Sequence, residues 1–433
     1  MDVAIGLVGI VVMILLLGFG VPVSFSMGFT GLAGFAFLWG TGKAISLTGI
    51  IAFAKTSSYI LACIPLFVLM GQAVFHCGIA KDLFTALHRW LSRLPGGLAM
   101  AVTATSAGFA SVCGSSPVTA ATMGAIALPE MKRYKYNPQL ATGCVAAAGT
   151  LGILIPPSIP MVVYGIMTEQ SIGRLFIAGI VPGVISALLY MAMIYMRTKH
   201  NPAIAPQGMI YSWKEKLNAT RKIWAVGFIF LIVMGGIYIG IFTPTEASAV
   251  GAFLALLIGF VQRNLNKETF SASLEDTARI TAMIMAIIIG AMVFCTFIVT
   301  TGLPDAVANF VISLDVNRYV VLVVMLLVYL VLGCMMDVLG ILVLTVPLFF
   351  PIVLKLGFNP IWFGIVLTKM VEVSLITPPI GVNCLIIRGV SEGYASLTDI
   401  FRGIAWFFVV DLITIAIIIV FPWISLFLPS MMY

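Results

Sequence analysis

Two short polar segments interrupt long apolar stretches of this 433-residue chain, and their side chains are of the kind that bind small ions. The first, Cys113-Gly-Ser-Ser-Pro117, is followed by Thr119, so Ser115, Ser116 and Thr119 offer three hydroxyl oxygens suited to a hard monovalent cation. Ser-Ser-Pro is also a good helix start, with Ser as cap and Pro in the first turn, and both roles need an exposed helix end. The second, Cys334-Met-Met-Asp337, places a carboxylate 222 residues after Ser115. An acid within an apolar segment is expensive unless paired, which makes Asp337 the strongest single candidate for function.

Behind each polar segment comes a run that begins as a helix and cannot finish as one. Gly149 and Gly152 loosen the stretch 146–158, and Pro156 and Pro157 remove backbone donors and clash with the preceding turn. The second stretch repeats the break at Pro378-Pro379. Carbonyls freed by unwinding suit a cation, and the positive N-termini of half-helices suit a carboxylate. One proline kink would be ordinary helix packing; two, each beside a polar tip, point to a site. Lys369 and Glu372 are three apart, within reach of an ion pair, and mutual neutralisation is favoured over a substrate clamp. Asp411 and Glu246 also have apolar surroundings, and Glu246 can cap a helix beginning near Thr245. His76, His88 and His200 are scattered at segment ends and in loops. No metal cluster, Ser-His-Asp arrangement or P-loop is suggested, so neither an enzyme nor ATP drive within this chain is indicated.

The elements that must position these groups lie in a membrane. Hydrophobic residues make up 61% of the chain and charged residues only 9%, against roughly 25% charged in soluble domains. Apolar runs of about 20 residues, enough to cross a bilayer, recur along the whole length. The net charge of +7 sits in short loops, without the aromatic-interleaved stripe of a nucleic-acid surface. Seven cysteines lie in or beside apolar segments with no CxxC spacing, and are read as small packing residues. The sequence after Met1-Asp2 lacks a basic n-region and a cleavage site, so the first apolar segment is expected to remain as a transmembrane helix.

Adding 222 to a position in the first half recovers Pro129 at Pro351, Asn137-Pro138 at Asn359-Pro360, and Pro156-Pro157 at Pro378-Pro379. Lys81, Arg89, Arg93, Lys132, Arg133 and Lys135 flank the first tip on both sides, as in cytoplasmic loops. The second tip is flanked by Asp305, Asp315 and Arg318 before and only Lys355 after, as in periplasmic ones. Segments 98–129 and 319–351 therefore enter the bilayer and return as re-entrant hairpins, a backbone course tolerated only where it is buried in protein or lines a cavity.

The expected fold is all-α integral membrane, with about ten transmembrane helices plus the two hairpins. The crossings are 3–21, 23–39, 60–77, 139–165 and 175–196, then 223–242, 246–262, 280–300, 361–387 and 403–428. With both termini periplasmic, the cytoplasmic loops hold 17 of the 23 Lys and Arg residues. Five crossings per half invert the second repeat (223–433) relative to the first (1–200), with 201–222 as a cytoplasmic linker. Inverted repeats with broken helices are the architecture of secondary transporters. Residues 46–59, with Lys55, Thr56, Ser57 and Ser58 breaking an apolar pattern, make either an interfacial helix or an ordinary loop.

Three ordered motifs carry a resemblance over essentially the whole chain: Gly152-Ile-Leu-Ile-Pro-Pro-Ser-Ile-Pro160, Phe242-Thr-Pro-Thr-Glu-Ala247 and Thr377-Pro-Pro-Ile-Gly-Val-Asn383. They resemble the large membrane subunit of tripartite ATP-independent periplasmic (TRAP) transporters, the DctM-like or SiaM-like family. The resemblance implies an inner-membrane symporter subunit that imports an organic acid, of sialic acid or four-carbon dicarboxylate type. A periplasmic substrate-binding protein delivers the acid, and a small four-helix membrane subunit, separate from this chain, assists. It implies an elevator mechanism, with sodium as coupling ion and no other cofactor. Carried onto this sequence, one sodium site would involve Ser115, Ser116, Gly149 and Thr150, a second Asp337, Gly340 and Thr377, and the substrate would meet Thr119, Ser158 and Asn383. The alternative is a binding-protein-independent symporter of the divalent-anion type.

Overall fold

The computed structural model describes residues 2–206, 210–221, 223–334 and 336–432. Met335 of the second polar tip, and residues 207–209 and Lys222 of the expected linker, lie outside them. The described residues are helical throughout and contain no strand.

The first half runs α1 (Asp2–Gly18), α2 (Val23–Trp39), α3 (Thr41–Thr56), α4 (Cys63–His76), α5 (Ile79–Leu91), α6 (Gly97–Cys113), α7 (Ser116–Arg133), α8 (Pro138–Leu154), α9 (Ile159–Thr168) and α10 (Ile172–His200). A short linker helix, α11 (Trp213–Thr220), leads to α12 (Trp224–Tyr238), α13 (Pro244–Val261), α14 (Lys267–Thr300), α15 (Leu303–Ser313) and α16 (Arg318–Gly333). The chain closes with α17 (Val338–Lys355), α18 (Pro360–Ser374), α19 (Val382–Val390), α20 (Leu397–Val420) and α21 (Trp423–Ser430).

The 222-residue register holds for whole elements. The starts of α1, α2, α5, α6, α7, α8, α9 and α10, each advanced by 222, fall within three residues of those of α12, α13, α15, α16, α17, α18, α19 and α20. The caps repeat as well. Asn137 accepts hydrogen bonds from the amides of Gln139 and Leu140, and Asn359 accepts them from Ile361 and Trp362, each with Pro in the first turn. Both double-proline pairs contain a cis bond. The departure is at α3 and α4, which correspond to a single 34-residue helix, α14, in the second half. Residues 46–59, left between helix and loop by the sequence, belong mostly to α3.

Seven helices among the described residues are long and apolar enough to cross a bilayer by length and composition. Their surroundings separate lipid-facing elements from buried ones. Phe19, Phe37, Phe53 and Phe260 are among many large apolar side chains left exposed, an arrangement natural in lipid and costly in water. In contrast, every side chain from 140 to 165 and from 361 to 376 is buried. Backbone that unwinds inside such a sheath is shielded from lipid, the condition under which broken helices are tolerated. α2 lies along α14, with Gly28 facing Gly290, so small residues let the backbones approach. None of the seven cysteines forms a disulfide, and all but Cys295 are buried.

Candidate functional site

The first polar tip is the turn between α6 and α7. Gly114 takes the left-handed conformation (φ +67°), and a side chain there would meet the carbonyl of Pro157 at 2.7 Å. Glycine is therefore required both by the turn and by the approach of the neighbouring break. Ile159, the first residue of α9, donates its amide to Gly114 O at 3.3 Å, which fastens the tip to the break. Ser115 occupies the N-cap position of α7 in extended conformation, yet its hydroxyl makes no capping bond. Thr119 gives its hydroxyl to Ser115 O at 2.8 Å.

α8 meets this tip through its glycines. A methyl group on Gly149 would lie 2.6 Å from Ala120 Cβ, and one on Gly152 would lie 2.6 Å from Thr119 Oγ1 and 2.7 Å from Ser115 O. Both glycines thus belong to the face of α8 packed on α7. Thr150 belongs to another face: its hydroxyl is donated to Ala147 O at 2.7 Å, and the side chain stands beside Tyr190 of α10 and Glu372 of α18. The grouping of Thr150 with the serines is not reproduced by its side chain. Ser158 caps α9, donating to Ile153 O at 2.5 Å and accepting from Met161 N at 3.4 Å.

The second tip follows the same plan with different groups. Asp337 is the N-cap of α17, its Oδ2 accepting from the amides of Leu339 at 3.2 Å and Gly340 at 3.4 Å. A side chain at Gly340 would come within 2.9 Å of Asp337 Oδ1, so the glycine keeps that oxygen uncrowded. This tip is joined to its break by a thiol: Cys334 Sγ lies 3.1 Å from Pro378 O and 4.0 Å from Thr377 O. Thr377 donates its own hydroxyl to Val373 O at 2.7 Å.

The halves meet at Asn383, in the first turn of α19. Its side-chain amide donates to Ser116 Oγ at 2.9 Å and to Ala146 O at 3.1 Å, binding the second break to the first tip and to α8. Its carbonyl oxygen is buried without a hydrogen-bond partner. Both tips also line one cavity of about 110 Å³, with Ser115, Ser116, Ile153, Ile159, Ile284 and Asp337 in its wall. The first residues of three helices, α7, α9 and α17, reach this space, so three positive dipole ends converge there. Its volume matches three or four waters at about 30 Å³ each and is well below the roughly 300 Å³ of a usual ligand pocket.

Sequence reasoning found the Lys369–Glu372 pair, 2.8 Å apart, but not the rest of its cluster. Lys369 Nζ also lies 2.7 Å from Asp411 Oδ1 on α20, and Tyr190 donates its hydroxyl to the same oxygen at 2.6 Å. The carboxylates had been noticed one by one; a partner 42 residues away leaves no local signal. Glu246 does cap its helix, in a reciprocal box with Thr243.

An all-helical bundle of membrane-length helices with paired interior breaks defines a membrane transporter. Solved structures agree at the level of fold: the YdaH transporter of Alcanivorax borkumensis superposes with a TM-score of 0.60 at 14% identity, covering 86% of this chain and 90% of that one. The family model described as tripartite ATP-independent periplasmic transporter, DctM component, matches residues 10–424, and the chain belongs to that family. It is 37% identical to the C4-dicarboxylate TRAP transporter large permease protein DctM of Pseudomonas aeruginosa, over 87% of this chain and 88% of the relative. It is 30% identical to the sialic acid TRAP transporter large permease protein SiaM of Vibrio cholerae, over 95% of each.

Proposed function

We propose that this chain is the transport subunit of a sodium-coupled symporter that imports an organic carboxylate across the inner membrane. The observation that carries the proposal is the shared cavity, where the polar tips of both hairpins and three helix N-termini converge. Hydroxyl, carboxylate and freed carbonyl oxygens suit a monovalent cation, and the N-termini suit the substrate's carboxylate. Sodium would be held at the first tip by Ser115, Ser116 and the backbone around Gly149, and at the second by Asp337, Gly340 and Thr377. Thr150 is left out of this set because its side chain lies on the face of α8 turned to Tyr190 and Glu372 rather than to the tip. Asn383, expected to contact substrate, has an unpaired carbonyl beside Ser116 and is suited to complete the first cation site. Thr119 and Ser158 are buried with their hydroxyls committed to backbone carbonyls, so their part is to hold the tip and the break in shape.

In this reading ten segments cross the bilayer, two hairpins enter and return, and the second half is inverted relative to the first with both termini periplasmic. The small cavity belongs to a closed state, and the hairpin-bearing part moves as an elevator to open it to either side. A periplasmic binding protein delivers the acid, and a small four-helix membrane subunit completes the assembly. The relatives named for a four-carbon dicarboxylate and for sialic acid support a carboxylate substrate, the chemistry those two share. The test is uptake in proteoliposomes containing both membrane subunits and the binding protein. Accumulation should collapse when the sodium gradient is abolished, and equal uptake with potassium on both sides would refute the proposal.

A further inference from the structure

Lys369, Glu372 and Asp411 are fully buried, and their charges do not balance: one ammonium faces two carboxyl groups. Two ionised carboxylates would leave one uncompensated negative charge sealed within the membrane-spanning bundle, which is the costlier state. The groups around the cluster offer nothing else to cancel it. From α10 comes the phenol of Tyr190, a neutral donor, and from α8 only the hydroxyl of Thr150. Tyr164 of α9 donates to Pro360 O at 2.6 Å, and Tyr329 of α16, whose buried hydroxyl makes no hydrogen bond, stands against Thr345 of α17. α21 carries no ionisable side chain.

The two acids are not equivalent. Asp411 Oδ1 receives two short hydrogen bonds, from Lys369 Nζ at 2.7 Å and Tyr190 at 2.6 Å, so a negative charge there is matched by two donors. Glu372 approaches Lys369 Nζ at 2.8 Å, yet neither of its oxygens makes a well-directed hydrogen bond. We propose that this cluster is a proton-binding site, with Lys369 and Asp411 ionised and one proton carried on Glu372. The neutral carboxyl keeps an O–H to donate, and Thr150 Oγ1, whose own hydrogen goes to Ala147 O, has lone pairs free to accept it. The cluster is then electroneutral. It adjoins the second break, since Leu375 donates its amide to the carbonyl of Glu372 at 3.2 Å where α18 ends. Nothing in this assignment depends on sodium binding or on the identity of the transported solute.

Infrared spectroscopy of the full chain in lipid nanodiscs at pH 7 tests it through the carbonyl stretch of protonated carboxylic acids. The wild type should show such an absorption, and Glu372→Gln should lose one carboxyl equivalent of it. Asp411→Asn should lose the same equivalent, because Glu372 can then ionise against Lys369. An absent absorption in the wild type, or an unchanged one in folded Glu372→Gln, overturns the proposal. Failure of Glu372→Gln to fold also counts against it, because the amide reproduces the shape and charge of the protonated acid.

Discussion

The two hairpin tips share a register and a backbone plan but differ in chemistry, and the difference shows how a duplicated fold builds a single asymmetric site. At the first tip, Ser115 caps by position alone and leaves its hydroxyl uncommitted; at the second, Asp337 binds two amides and brings a negative charge. The first break, 155–158, is sealed, whereas Pro378 and Pro379 of the second are exposed. The helices after the two breaks reach across by different contacts, Tyr164 to Pro360 O from the first and Asn383 from the second. Asn383 holds Ser116 and Ala146, and its counterpart in the first half is Met161, which cannot return the contact. The buried ion cluster is one-sided too. Lys369 and Asp411 correspond to Ala147 and Leu189, and Glu372 corresponds to Thr150, beside which it stands. The frame is common to both copies, and these three charged groups are carried by the second alone.

Seven variants probe this contrast. The largest effect is expected from Gly149→Val, because its methyl groups would enter the backbone of α7 at Ala120. Overpacking of that kind costs roughly 1–3 kcal/mol or more and should appear as lost monodispersity and a lower melting temperature. The counterpart in α18 is already Val371, so Val371→Ile should be tolerated far better. Next is Asp337→Ala. A charged ligand worth roughly 1.5–3 kcal/mol implies sodium affinity weaker by about 10- to 100-fold, read from the sodium dependence of uptake. Asp337→Ser, which copies the first tip, should retain the assembled protein with a smaller loss of helix stability.

Asn383→Leu should cost about 1–3 kcal/mol by stripping Ser116 and Ala146 of their cross-half donor, measured by thermal unfolding. Met161→Ala, at the matching place, should leave sodium dependence unchanged. The smallest effect falls outside the site. Thr243→Ala removes the capping box of α13, worth about 1 kcal/mol, while α2 begins at Pro22 without any side-chain cap. Melting should fall slightly and uptake stay at the wild-type level.

Legibility followed the range of the interactions. Helix breaks at Pro156-Pro157 and Pro378-Pro379, the caps at Asn137 and Asn359, and the equivalence of Ser115 with Asp337 are set within a few residues, so the sequence displays them. α3 was ambiguous because a short, weakly amphipathic segment beside Ser57 and Ser58 has little periodicity to read. The contacts that join the halves were invisible. Asn383 lies 267 residues from Ser116, and Tyr190 lies 221 from Asp411, separations at which only the folded bundle creates the pairing. The family resemblance places Thr150 with Gly149 at the tip, although adjacent residues of a helix face different neighbours and its side chain stands beside Tyr190 and Glu372.

Sodium binding at the two tips is read directly from the thermal stability of the purified chain across a sodium titration. A ligand that binds only the folded state raises its stability with concentration. The melting temperature should climb with sodium and not with potassium, with the rise reduced in both Ser116→Ala and Asp337→Ala. An equal rise with potassium, or a sodium response left intact in both variants, would contradict it.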